Sequence, residues 1–236
     1  MFIAGVSKGG FGSGASFVAA PLLTIFVAPA VALAVLLPVL MVVDLATLRP
    51  YWRKWHAQSA LLLCLGALPG VALGALIYRA SDPDVIRFLI GTIALAFLAF
   101  QLARRRGWGA GSVWQAPRWL GLTAGSIAGF TSFVSHAGGP PVTVYLLHRS
   151  LTKTEFQATT VLVFWLVNIA KVGPYAALGL FDAALLWTAA ALAPVALFGA
   201  WVGVRAHRMV AEHVFFGVTY GLLAIAGTKL IYDALS

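Results

Sequence analysis

Apolar residues along this chain run together rather than alternate with polar ones. Continuous apolar stretches cover residues 31–48, 59–78, 86–102, 156–172, 183–204 and 214–230. A helix needs about 20 such residues to cross a hydrocarbon core of ~30 Å. Transmembrane strands would instead show alternation in segments of about ten residues. The pattern therefore predicts spanning helices, with polar and turn-forming residues collected between them. Three such collections stand out: "GVSKGGFGSGAS" at 5–16, "RRRGWGAGSVWQAPR" at 104–118 and "HAGGPP" at 136–141.

Composition narrows the class. Of 236 residues, 61% are hydrophobic and 10% charged, and the mean hydropathy is +0.93, outside the balance of a water-soluble domain. A net charge of +9 would suggest nucleic acid in a soluble protein. In a membrane chain, cations at helix ends record orientation instead, and nucleic acid is set aside as a partner. The basic interval is too short to bury a core of its own and reads as a cytoplasmic linker, residues 104–117, between membrane units 1–103 and 118–236. Cys64 is alone, which excludes a disulfide within one chain, and its apolar surroundings point to packing. His56, His148, His207 and His213 lie near predicted helix ends without ligand spacing, so neither metal nor cofactor is expected. The first residues lack the basic start and long apolar core of a signal peptide and are read as part of the mature chain.

The two units resemble each other. Shifted by 124 positions, Asp44 falls on Asn168, Pro50 on Pro174 and Tyr51 on Tyr175 without a gap, and the glycine-rich opening falls on the segment containing His136. Each unit then reads as a broken, re-entrant helix pair followed by three spanning helices. Loops at matching positions carry opposite charge character: "YWRKWH" at 51–56 is basic and its counterpart "YAALGL" at 175–180 is uncharged. The reverse holds for "TIFVAPAV" at 24–31 and "HRSLTKTE" at 148–155. An inverted arrangement collects Arg49, Arg53, Lys54, Arg104, Arg105, Arg106, Arg118, Arg149, Lys153, Arg205 and Arg208 on one face, 11 of the 16 cations, which the positive-inside rule makes cytoplasmic. The expected fold is an all-α integral membrane protein of two inverted-topology repeats. Arg118, where the second unit starts, maps ahead of Met1, so the first unit has the shorter entry to its break.

Broken helix is tolerated at membrane depth only where protein or a wet cavity surrounds it. Gly9, Gly10, Gly12 and Gly14 in the first unit, and Gly138, Gly139, Pro140 and Pro141 in the second, mark the two expected breaks. A helix restarting after a break presents unpaired N–H groups and its positive dipole end, an anion site in the making. Lys8 beside the first break and His136 in the second strengthen that reading, because ionisable groups at this depth are expensive unless they serve a site. Ser13 and Ser135 offer hydroxyls, and the backbone of Ala137 belongs to the second break. Asn168, and Lys171 one turn further along the same face, complete the expected substrate-binding set; Lys171 reaches either the cavity or the interface. Asp44, an intramembrane carboxylate, is the candidate for coupling to a proton or sodium, or for holding Lys8. Gly66, Gly70 and Gly74, and Gly121, Gly125 and Gly129, at four-residue spacing suit close helix packing, within the fold or in a homodimer. No pairing of nucleophile and base emerges, so no catalytic residues are assigned and an enzyme is not expected.

"FVAAPLL" after the first glycine-rich stretch, "GFTSFVSHAGGPPVTVYLL" at 129–147 and "QATTVLVFWLVNIAKVGPYAALG" at 157–179 resemble the TauE/SafE sulfite exporter family, also grouped as the four-toluene-sulfonate uptake permeases. The resemblance implies a multi-pass carrier of the bacterial inner membrane, exporting sulfur-containing anions such as sulfite or organosulfonates. Alternatives on the residues themselves are an anion channel, or a cation- or proton-coupled carrier centred on Asp44.

Overall fold

The computed structural model describes residues 1–10, 16–107, 117–206 and 212–236. Ten α-helices follow in order among them: α1 (Phe2–Gly10), α2 (Ala19–Thr24), α3 (Pro29–Leu48), α4 (Ala57–Ala80), α5 (Pro83–Arg105), α6 (Arg118–Ser135), α7 (Gly139–Leu147), α8 (Lys153–Ala177), α9 (Ala183–Ala206) and α10 (Glu212–Leu235). Six of them, α3, α4, α5, α8, α9 and α10, are long and apolar enough to cross a membrane. Each covers one of the predicted apolar stretches and overruns it by a few residues at one end or both.

Local signals explain where they start and stop. Pro29 and Pro83 occupy first-turn positions, where a missing N–H costs nothing. Asp82 caps α5 by accepting from the amides of Asp84 and Val85 at 3.1 and 2.9 Å. Thr152 and Glu155 form a capping box at the head of α8. Gly179, at φ 68°, follows the end of α8 in the left-handed region that glycine enters without penalty.

The sequence of lengths recurs. Two short or interrupted elements precede three long ones, first as α1 to α5 and again as α6 to α10, and α1 is half the length of α6, as expected. The main pairings also recur with the halves exchanged, since α1 packs along α9 while α6 packs along α4. α3 meets α8, and α5 meets α10. Glycines set these approaches. A Cβ on Gly66 or Gly70 would strike the carbonyls of Leu122 or Ser126 on α6, and one on Gly129 would strike that of Ala67 on α4. Gly5, which stands 124 positions before Gly129, presses in the same way on the Ala196 carbonyl of α9. The expected small-residue packing is therefore realised within the fold, and Ser126 adds a hydrogen bond of 2.9 Å to the Gly66 carbonyl.

α3 lies innermost. Its apolar window is 61% buried, against 22% for α9. Pro38 sits in its middle and removes one donor from the α3 ladder. The chain's polar residues are thus brought to a helix whose own hydrogen bonding is incomplete. Cys64 packs partly buried against the core, as its sequence setting suggested.

Candidate functional site

Among the described residues, the lysine, aspartate and histidine side chains buried inside are Lys8, Asp44, His136 and Lys171, with relative exposures of 7, 0, 6 and 0%. Each comes from a different segment. Lys8 lies in the last turn of α1, where a cation is favoured by the helix dipole. Asp44 belongs to α3, Lys171 to α8, and His136 to the turn between α6 and α7.

Lys8 and Asp44 form an ion pair, Nζ to Oδ1 at 2.5 Å, and the ammonium lies 3.4 Å from the Leu40 carbonyl. The other carboxylate oxygen accepts from Asn168 Nδ2 at 2.8 Å. Both oxygens of Asp44 are therefore engaged. One turn along α8, Lys171 Nζ donates to the carbonyl and the hydroxyl of Ser132 at 3.0 and 3.1 Å and to His136 Nδ1 at 2.9 Å. These partners assign the His136 proton to Nε2, which lies 3.4 Å from the Leu33 carbonyl. His136 thus joins α8 to α3.

The backbone at His136 is left-handed, φ 53° and ψ 24°, and it ends α6. This conformation is uncommon for a residue with a Cβ. Here the surroundings hold it: the amides of His136 and Ala137 turn back to the carbonyls of Ser132 and Thr131 at 3.0 and 3.3 Å. Tyr175 braces the same turn, its hydroxyl donating to the Phe133 carbonyl at 2.7 Å and its ring lying edge-on to Phe133.

The predicted residues divide accordingly. Lys8, Asp44, His136, Asn168 and Lys171 converge, and of the two destinations open to Lys171 it takes the buried one. The Ala137 amide, expected to face a ligand, is instead used to cap α6, and the Ser135 hydroxyl donates to the Thr131 carbonyl at 2.9 Å. Pro140 and Pro141 carry no N–H, so the free backbone donors of the second break reduce to the amides of Gly138 and Gly139, which have no backbone acceptor among the described residues. Gly9 and Gly10 close α1 rather than interrupt it. Gly12, Ser13 and Gly14 lie outside the described residues.

Sequence reasoning missed Tyr175 and the α3 carbonyls of Leu33 and Leu40. Signals existed for both: Tyr175 repeats Tyr51 at the 124-residue spacing, and Pro38 lies between the two carbonyls. The second unit also carries no lysine at the position equivalent to Lys8. Ser132 stands there, and Lys171 reaches it from α8, so each unit delivers one lysine to the centre from non-equivalent positions.

Basic side chains outnumber carboxylates at this centre among the described residues. Two buried lysines face one buried carboxylate, and among the described residues no carboxylate lies within ion-pair distance of Lys171. A polytopic helical membrane protein with two lysines, a histidine and a carboxylate buried in its polar centre is the class these features define. The model of the family described as sulfite exporter TauE/SafE matches residues 1–230, and the chain belongs to that family of exporters. It is similar to a probable sulfite/organosulfonate exporter TauE of Cupriavidus necator, 25% identical over 191 residues that cover 77% of this chain and 70% of that protein. No solved structure matches the chain.

Proposed function

We propose that the chain is a secondary carrier of the bacterial inner membrane that exports a sulfur-containing oxyanion, sulfite or an organosulfonate. The observation that carries this reading is Lys171, 0% exposed, which bonds to Ser132 and His136 and has no carboxylate within ion-pair distance among the described residues. A buried ammonium without a counter-charge is costly, and an anion beside it restores the balance. Sulfite and sulfonate groups are rich in acceptor oxygens and suit the Lys171 ammonium with the amides of Gly138 and Gly139. Membership of the exporter family and the relative in Cupriavidus necator support the substrate class and the direction.

Alternating access then follows from an inverted pairing of the two units, residues 1–103 and 118–236, rocking around a site near the midplane. The exchange of pairings between α1 with α9 and α6 with α4 supports it. Asp44 holds Lys8, and a proton on Asp44 would release that ammonium toward the anion, which makes this pair the coupling element. A cation carrier centred on Asp44 is disfavoured because Lys8 and Asn168 already occupy both carboxylate oxygens.

The test is sulfite and sulfoacetate flux in proteoliposomes. Saturable flux that responds to an imposed pH or sodium gradient and is lost in Lys171→Gln supports the carrier. Non-saturating flux would replace the carrier with a channel, and flux unchanged in Lys171→Gln would remove the proposed site.

A further inference from the structure

Away from the lysine centre, a cavity of about 380 Å³ opens between α5, α6 and α7. Ile93, Phe97 and Phe100 line it from α5, Ala124 and Ile127 from α6, and the buried Tyr145 from α7. Ile127 is 54% exposed, so the cavity is a groove open toward the surface that the long apolar helices present to lipid. At ~1.5 Å per helical residue, the lining segments 93–100 of α5 and 120–131 of α6 extend roughly 10 and 16 Å, close to the depth of one leaflet of a ~30 Å core.

The two ends of this groove differ in charge. One is bounded by Ala137, Pro140 and Pro141, with no charged side chain in the lining. The other lies toward the end of α5 and the start of α6, which carry Arg104, Arg106 and Arg118, while Arg105 lies over the Tyr220 ring of α10, and Arg149 follows α7 with its guanidinium 5.8 Å from the centre of the Tyr145 ring. Arg104, Arg106 and Arg118 are exposed. These arginines fall on the face that charge asymmetry assigns to the cytoplasm, and Trp119, 60% exposed beside them, suits the level of the headgroups.

An apolar slot one leaflet deep with a basic mouth fits an amphiphile with an anionic head. We propose that it seats one acyl chain of an anionic glycerophospholipid, with the phosphate among the arginines at the facing ends of α5 and α6. The chain would lie against the segment from Ala137 to Pro141, directly after His136, so the lipid would brace the interruption that carries the central histidine. This proposal is independent of which anion the carrier moves.

The experiment uses the purified full chain, stripped of lipid in detergent and then supplied with phosphatidylglycerol or with phosphatidylcholine of the same acyl chains. Thermal unfolding and native mass spectrometry report binding. Phosphatidylglycerol is expected to raise Tm by about 5 °C or more beyond phosphatidylcholine. Ala96→Trp, which fills the groove from an exposed lining position, should abolish that difference, and Arg104→Gln with Arg106→Gln and Arg118→Gln should weaken retention at least about tenfold. The arginine variant changes only exposed positions and decides the matter if Ala96→Trp fails to fold. Equal stabilisation by the two lipids, or a preference that survives both variants, overturns the proposal. So does a shift obtained only with a soluble alkanesulfonate, which would make the groove a substrate-tail site.

Discussion

Asn168 Nδ2 donates to Asp44 Oδ2 at 2.8 Å, and the two residues stand 124 positions apart, the spacing that relates the two units of the chain. The Asp44–Asn168 pair joins α3 to α8, which face each other there.

Exchanging the two residues tests this placement. Asn168→Asp alone sets a second carboxylate against the first in a buried site and should lower stability by about 2–3 kcal/mol. Adding Asp44→Asn relieves that repulsion and restores an amide–carboxylate pair but takes the carboxylate off Lys8, so only about 1 kcal/mol of the loss should return. Thermal unfolding of the two single variants and the exchanged double variant in detergent gives the coupling, and a value near zero would mean the pair contributes nothing as a unit.

The ion pair between Lys8 and Asp44 is buried at both ends, 7 and 0% exposed. Asp44→Leu strands the Lys8 ammonium and should cost about 3–5 kcal/mol, whereas Lys8→Met with Asp44→Leu should fall close to the wild type in stability. Loss of transport by a double variant that remains stable would assign the pair to function rather than to folding. Retention of full transport would assign it to neither coupling nor the site.

Gly70 lies so near the Ser126 carbonyl that any Cβ must move one helix off the other. Gly70→Leu should destabilise by about 3 kcal/mol or more, at the upper end of overpacking effects, because the obstacle is backbone. Gly221, in α10, has nothing within 4 Å of a Cβ, and Gly221→Ala should leave stability unchanged or raise it by up to about 1 kcal/mol. Comparable losses in both variants would show that the α4–α6 contact is not as close as described.

Orientation is checked by labelling. With Cys64 replaced by Ala, single cysteines placed at Gln58 and at Ser150 should react with a membrane-impermeant thiol reagent from the same side. Both lie close in space, since Arg149 donates to Gln58 Oε1 at 3.1 Å. A cysteine at Gly179 should react from the opposite side if the units are inverted. Labelling of all three from one side would rule out inversion.

The apolar runs determined the spanning helices, because a stretch of that length and composition has few alternatives to a membrane span. Capping residues such as Asp82 and Thr152 determined their starts, and the 124-residue spacing matched Asp44 with Asn168, which the fold brings into contact. Local pattern could not decide partners. Whether Lys171 turned to the interface or to the core depended on α6 presenting Ser132 and His136 to α8, a contact between residues 35 and 39 positions apart. Equally, the Ala137 amide was free by the sequence rule for broken helices and engaged in fact, because the left-handed turn at His136 folds it back on Thr131. Hydrophobic length is a property of a segment and is legible there. Charge balance and hydrogen-bond satisfaction are properties of an enclosed volume, and only the packing of α1, α3, α6 and α8 around that volume fixed them.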